Sequence, residues 1–304
     1  MKRGVVVRVP AKVNLQLSVG PVSVDGYHEI ATVFQAVSLF DDVTVKVGED
    51  GSGIQLTATG ITSGVPLDSS NLAVRAASLM AERYDIPTDI AIHIKKEIPV
   101  AGGMAGGSAD AAGVIVGIDA LFDLGLSRDE LESIGSELGS DIPFSIAGGI
   151  AIGRGRGNEL TSALSRGTYQ WVLATSGQGL STPAVYEECD RLREGLEIAK
   201  PAISDAMMQA LRSGDARAVG AAMSNDLQAA ACSLKPALRL VLDVGTEYGA
   251  LASMVSGSGP TVAFLVEDEE RALDLTVALS SSGVVGQVVR ASGPVHGARV
   301  IETL

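Results

Sequence analysis

Residues 99–112 read Pro-Val-Ala-Gly-Gly-Met-Ala-Gly-Gly-Ser-Ala-Asp-Ala-Ala, with four glycines in the six positions 102–107. Glycine lets a backbone approach a ligand closely and adopt positive φ. The apolar run Gly113–Phe122 that follows predicts a helix. The first amides of a helix have no intrahelical partner, and its dipole is positive at that end. A glycine-rich loop entering a helix therefore suits a phosphate group. A flexible turn or a tight packing site is the plainer alternative. Three other places could carry chemistry. Asp141 lies between Gly139 and Pro143, where a carboxylate could accept a hydroxyl proton or simply shape a turn or cap a helix. Lys12 and Asn14 sit two residues apart in a strand-like segment, so they share a face. Tyr27-His28 is an adjacent ring pair in a chain with only 4% aromatic residues. It is suited to stacking on a base and reading its edge, or else to packing a hairpin turn.

Other chemistries fall away. There is no Gly-Lys dipeptide, so no Walker-type phosphate loop, and no Gly-x-Gly has a third glycine at dinucleotide spacing. The HRD and DFG signatures of protein kinases are absent. The three histidines do not form HExxH, and there is no CxxC, which argues against a zinc site. Cys189 and Cys232 read as two small apolar residues of a reducing, cytoplasmic environment. Lys plus Arg number 23 against 36 Asp plus Glu, a net charge of −13, which disfavours nucleic acid as a partner. No apolar run reaches the ~18 residues of a membrane helix, and Arg8 and Pro10 interrupt the N-terminal run too early for a signal peptide.

The elements that must position these residues are also legible. The first 60 residues read as strands at 5–9, 13–19, 30–39, 43–47 and 54–58, separated by turn signals at Asp25-Gly26, Asp41-Asp42 and Asp50-Gly51. Asn71 is a helix N-cap for residues 72–80, and 90–94 is a strand. A helix near 128–138 ends at Gly139, and 150–152 is a short strand before the glycine-rich turn 153–157. A boundary in 161–168 divides the chain into domains 1–165 and 166–304. The second predicts strands at 171–174, 253–256, 261–266 and 284–290, and helices at 183–194, 202–211, 216–223, 236–248 and 269–279. The class is α+β, with strands and helices mixed in both halves. Glycine is 36 of 304 residues, about 12% against a usual share of about 7%.

The loop 99–110 resembles the Pro-x-x-Gly-Leu-Gly-Ser-Ser-type loop of the GHMP kinase superfamily, which includes galactokinase, homoserine kinase and mevalonate kinase. Pro10-Ala-Lys-Val-Asn-Leu with Asp25-Gly-Tyr-His-Glu, Gly139-Ser-Asp-Ile-Pro-Phe and Ser256-Gly-Ser-Gly-Pro-Thr follow the superfamily's order. Ala-Lys-x-Asn-Leu and Asp-Gly-Tyr-His resemble the branch whose alcohol substrate carries a cytidine diphosphate, a step of non-mevalonate isoprenoid synthesis. The resemblance implies a ribosomal-S5-like N-terminal domain, a ferredoxin-like C-terminal domain and a ligand cleft between them. It implies transfer of the γ-phosphoryl group of ATP to the 2-hydroxyl of a cytidyl-diphosphate methylerythritol, with Mg²⁺. Another small alcohol, or a non-catalytic nucleotide-binding module on the same fold, is the alternative.

The resemblance also assigns roles. Lys12 and Asp141 would be catalytic, the lysine hydrogen-bonding Asp141 and the reacting hydroxyl. ATP would contact Asn71, Pro99, Val100, Ala101, Gly102, Gly103, Met104, Ala105, Gly106, Gly107, Ser108 and Ala109. Ser108 would cap the helix and meet the phosphates or Mg²⁺. Asn14, Tyr27, His28, Thr182, Tyr186, Gly257, Ser258 and Gly259 would bind the cytidyl substrate, with core packing the alternative for Tyr186. Ala101, Ala105 and Ala109 depart from the loop's usual Gly and Ser, narrowing its backbone freedom. A monomer or weak homodimer is expected.

Overall fold

The computed structural model describes residues 3–100, 102–176 and 179–304. Two long strands, β1 (Gly4–Val22) and β2 (His28–Val47), pair antiparallel through the turn that contains Asp25-Gly26. They are followed by β3 (Ile54–Gly60), α1 (Leu72–Tyr84), β4 (Ile90–Lys96), α2 (Gly106–Phe122), α3 (Arg128–Leu138), α4 (Ile142–Ala147), β5 (Ile150–Arg154) and β6 (Glu159–Ser162). The order β1-β2-β4-β3 forms the main path of the first sheet, with β5 on the other end of β2 and β6 beside it. β2 can serve both β4 and β5 because it is 20 residues long.

The Asp41-Asp42 turn expected inside β2 does not form. Asp41 is fully buried and accepts from the Glu97 amide at 2.6 Å, the Ile98 amide at 2.8 Å and Lys96 Nζ at 2.5 Å. Its carboxylate anchors the end of β4 to β2, so the strand runs through without a break. Asp110 completes the cluster, with Lys96 Nζ 2.8 Å from its Oδ2. Helix α2 is apolar on nearly every side because it lies between the sheet and α1, α3 and α4.

The second half comprises β7 (Tyr169–Thr175), α5 (Thr182–Leu192), α6 (Asp205–Ser213), α7 (Ala216–Ala222), β8 (Ser224–Asn225), α8 (Gln228–Leu234), α9 (Ala237–Glu247), β9 (Ala252–Val255), β10 (Val262–Val266), α10 (Glu269–Ser282), β11 (Gln287–Gly293) and β12 (Arg299–Thr303). Its sheet is antiparallel in the order β11-β7-β10-β9, which is 4-1-3-2 in chain order, the ferredoxin-like arrangement. Two strands cross the division expected near residue 165. β12 returns to pair antiparallel with β1, and the two-residue β8 pairs parallel with it. The two halves are thereby stitched along the strand that carries Lys12 and Asn14. No helix among the described residues is long and apolar enough to cross a membrane.

Candidate active site

Lys12 and Asn14 point from β1 into the buried junction of the two halves. Lys12 Nζ donates to Asn14 Oδ1 at 2.7 Å, Asn14 Nδ2 donates to Thr32 Oγ1 at 2.8 Å, and that hydroxyl donates to the Gln16 carbonyl at 2.8 Å. Each member is held by the next, so the ammonium has a defined position. Burial lowers the Lys12 pKa, and the negative charge of Asp141 works against that lowering. The direct hydrogen bond expected from Lys12 to Asp141 is absent: the lysine is bonded to Asn14 and feels Asp141 through space.

The glycine-rich loop and the Gly-Ser-Gly turn meet beside this lysine. Met104 accepts from the Lys12 amide at 3.3 Å through its carbonyl, while its side chain is in the core. Ser256 Oγ donates to the Gly103 carbonyl at 3.1 Å, and the Thr261 amide donates to the Gly102 carbonyl at 3.3 Å. Gly103 has φ +73°, and a Cβ there would collide with the Ser256 carbonyl and lie 3.0 Å from the Gly259 amide nitrogen. Only glycine allows the loop to rest on the turn so closely. A Cβ on Gly257 would lie 3.3 Å from Lys12 Nζ and 3.4 Å from Asn14 Oδ1. Three motifs spread over more than 240 residues of sequence thus share one small volume.

Ser108 does not cap α2. The helix begins at Gly106 after Ala105, which takes a left-handed φ of +60°, a conformation that costs an alanine about 1–2 kcal/mol. The chain turns there, before the serine, so Ser108 stands in the first helical turn with its hydroxyl half-buried. The amides of residues 106–108 precede the first intrahelical bond, from Ala109 to the Ala105 carbonyl at 2.8 Å, and they face the loop. Pro99 and Val100 lead into the loop from β4, and Ala109 is buried in the core. Ala101 lies outside the described residues. Asn71 caps α1 as expected: its Oδ1 accepts from the Ala73 amide at 2.8 Å and its Nδ2 donates to the Pro66 carbonyl at 2.6 Å.

Asp141 occupies the N-cap position of α4 but makes no side-chain cap bond, which leaves its carboxylate available. Its charge is felt at Lys12 and also at Tyr186. Beyond it opens a cavity of about 1070 Å³ lined by Tyr27, His28, Gly139, Ser140, Thr182 and Tyr186, among others. The His28 and Tyr186 rings are 5.1 Å apart between centroids and tilted by 37°. Burial, with smaller contributions from Asp141 and Cys189, pushes the Tyr186 phenol up to about 12. Thr182 Oγ1 is 3.0 Å from Ser258 Oγ, tying α5 to the Gly-Ser-Gly turn.

Three further residues escaped the sequence reading. Asp190 Oδ1 is 2.8 Å from His28 Nε2, and it lies four residues after Tyr186 on α5, a spacing that could have revealed it. Arg156, from the glycine-rich turn after β5, covers one face of the Tyr27 ring at 3.7 Å and donates to Asp25 Oδ2 at 2.9 Å. Asn225 donates to the Val255 and Gly257 carbonyls at 2.7 and 2.8 Å and holds the turn open.

Among the described residues no group of three or more His, Cys, Asp or Glu side chains is gathered for a metal ion. Asp110 is committed to Lys96, and burial raises its pKa to about 7 despite that ammonium. The Ser108 hydroxyl has no hydrogen-bond partner among the described residues. This donor set fits a cation carried mainly by phosphate oxygens, as Mg²⁺ is in nucleotide sites.

Comparison with known proteins agrees with the geometry. Residues 71–149 match the GHMP kinases N terminal domain and residues 207–285 the GHMP kinases C terminal domain. The 4-diphosphocytidyl-2-C-methyl-D-erythritol kinase of Streptomyces coelicolor is 51% identical over 299 residues, spanning 98% of this chain and 99% of the relative. The kinase of that name from Mycolicibacterium smegmatis is 52% identical over 299 residues, spanning 98% of this chain and 92% of the relative. A crystal structure of 4-(cytidine 5'-diphospho)-2C-methyl-D-erythritol kinase superimposes with a TM-score of 0.77 at 31% identity, covering 94% of this chain and 98% of that one. Homoserine kinase from Cytophaga hutchinsonii shares the fold, with a TM-score of 0.77 at 19% identity, covering 99% and 98%. With half of its residues identical over nearly the whole length and both GHMP segments matched, the chain belongs to the 4-diphosphocytidyl-2-C-methyl-D-erythritol kinase family of the GHMP kinases.

Proposed function

We propose that the chain transfers the γ-phosphoryl group of ATP to the 2-hydroxyl of 4-diphosphocytidyl-2-C-methyl-D-erythritol, a step of non-mevalonate isoprenoid synthesis. The observation that carries this reading is the ring-lined cavity of about 1070 Å³ that runs up to Gly139 and Ser140, beside Asp141. A kinase for a small alcohol without a base needs no such volume or rings.

The cytosine stacks against Tyr186 and the open face of Tyr27, whose other face is under Arg156. His28 reads the base edge. The Asp190 carboxylate, 2.8 Å from Nε2, orients the ring and leaves Nδ1 for the base edge. Thr182, Gly257, Ser258 and Gly259 shape the diphosphate end.

The ATP phosphates lie on the loop 99–109, held by the free amides at the start of α2. Ser108 would hold Mg²⁺ together with the ATP phosphates, and the ion would supply charge neutralisation there. Asp141 takes the proton of the 2-hydroxyl as that oxygen forms its bond to the γ-phosphorus. The bond from the γ-phosphorus to the bridging oxygen breaks, and ADP leaves with the electron pair. Lys12 faces the charge that spreads over the transferring group, and Asn14 holds the ammonium there. Such a reaction depends on positioning and charge more than on covalent help. The assembly in this reading is a monomer or weak homodimer. The free buried Cys189 and Cys232 suit the reducing cytoplasm.

The test is ADP release with Mg-ATP and the cytidyl substrate, homoserine, mevalonate or galactose, followed by phosphorus NMR of the product. Turnover restricted to the cytidyl compound, with a new phosphomonoester signal, is the expected result. Turnover with another alcohol alone would overturn the substrate assignment.

A further inference from the structure

Helix α4 is six residues long, far short of the ~12–15 residues at which an isolated helix becomes marginally stable. It nevertheless carries Asp141 at its N-terminus. Its position must therefore be imposed by its surroundings.

The last four carbonyls of a helix have no partner within it. In α4 all four are accounted for, three of them from outside the helix. The Phe144 carbonyl accepts from the Gly148 amide at 2.7 Å. The Ser145 carbonyl accepts from the Ala298 amide at 2.9 Å. The Ile146 carbonyl accepts from Arg128 Nη2 at 3.2 Å, and the same nitrogen donates to the Ala147 carbonyl. Arg128 is the first residue of α3 and is oriented by Glu132 Oε1, 3.1 Å from its Nε.

The chain segment before β12 presses on the same end. His296 bridges to Gly148, and the Gly149 amide donates to the Val295 carbonyl at 2.7 Å. Val295 in turn donates to the Ala36 carbonyl of β2 at 3.2 Å. Gly297 lies flat on the helix end. A Cβ there would overlap the Ile146 carbonyl oxygen and lie 2.7 Å from the Ala147 carbonyl carbon. Backbone on both sides leaves no room to give. The far end of α4 is thus clamped between α3 and residues 295–298, about 150 residues further along the sequence.

We infer that Arg128 and Gly297 are positioning residues for Asp141: they set the axial placement of α4 and, through it, the reach of the carboxylate toward the reacting hydroxyl. The inference rests on the reading of Asp141 as the proton acceptor. A six-residue helix moves as one piece, so a shift at its C-terminal end appears at its N-cap. Misplacing a catalytic group by about 1 Å can cost on the order of 10²-fold in rate.

The experiment compares Arg128→Met, Arg128→Lys, Gly297→Ala and Asp141→Asn with the parent enzyme, together with the double variant Arg128→Met/Asp141→Asn. Expected are a kcat lowered about 10-fold by Arg128→Met and by Gly297→Ala, with the KM for ATP within about twofold of the parent. Arg128→Lys, which keeps a donor for the carbonyls, restores part of the rate. In the double variant the arginine substitution has no further effect on kcat, because the group it positions is gone. Arg128 is largely exposed, so its variants fold even if Gly297→Ala does not, and the emission of the buried Trp171 checks this. Arg128→Met at full kcat, with only the melting temperature lowered, would overturn the inference while Asp141→Asn is inactive. An additive loss in the double variant would overturn it as well. A fully active Asp141→Asn would instead remove the proton-acceptor reading beneath it.

Discussion

Lys12 Nζ sits 2.7 Å from Asn14 Oδ1, and the pair is closed off by the Asn14 amide on Thr32. The asparagine is therefore the direct neighbour of the ammonium, with Asp141 acting on it through space. Asn14→Leu removes that acceptor and strands the buried Lys12 ammonium, while the Thr32 hydroxyl keeps its bond to the Gln16 carbonyl. We expect a loss of about 1–3 kcal/mol in urea unfolding and about a 10-fold drop in kcat. An unchanged rate would place Asn14 outside the chemistry and leave it a structural strut.

Asp141→Asn keeps the shape of the side chain and removes its ability to take a proton. The kcat should fall at least about 10²-fold, the usual scale for an acid–base group. Nucleotide binding, followed by calorimetry, should hold, because the Asp141 side chain makes no cap bond and is not among the groups that hold the loop at the start of α2. A variant that turns over normally would contradict the assigned role.

The rings of the cavity make a separate prediction. Removing Tyr186 or Tyr27 takes away a stacking face worth about 1–3 kcal/mol per base. Tyr186→Ala and Tyr27→Ala should each raise the KM for the cytidyl substrate about 5- to 100-fold. The KM for ATP should stay put, since these residues line the cavity and not the loop. Equal changes in both constants would point to a general collapse of the site.

Asp110 supplies a pH prediction. Burial raises its pKa in the folded protein from 3.8 to about 7, partly opposed by Lys96. The folded state then binds more protons than the unfolded state between those values. This contribution to stability is complete below about pH 4 and is lost as the pH rises toward 7. Its unpartnered buried Oδ1 is consistent with a carboxyl that resists ionisation. In melting curves taken from pH 4 to 7, Asp110→Asn should gain steadily on the parent. Parallel curves across that range would show that Asp110 ionises normally.

Local signals were readable where a residue's neighbours in sequence decide its role. Asn71 caps its helix, Asp25-Gly26 turns, and the alternation along β1 marks a buried strand. Ser108 shows the limit. It has the right residue type for a cap, yet Ala105 turns the chain first by taking a left-handed conformation that alanine seldom adopts. Asp41-Asp42 reads as a turn by composition, but Lys96 and two amides bury the first aspartate within a continuous strand. Arg156 looked like one of several charged residues in a glycine-rich turn until the fold laid it on Tyr27.

By itself the sequence determined which residue types stand in each motif, their order, the α+β class and, through resemblance, the family. Tertiary structure alone decided that Lys12 bonds to Asn14 and not to Asp141, that Gly257 lies against this lysine and Gly103 against the Ser256 carbonyl, and that α4 is clamped by Arg128 and residues 295–298. The reason is geometric. Side-chain direction on β1 depends on its register with β2, which shifts near residues 10 and 14, and a one-residue shift exchanges the faces of a strand. Contacts between segments 150 or more residues apart exist only once both sheets are complete. No local spacing encodes which carbonyl or ammonium a distant glycine will be pressed against.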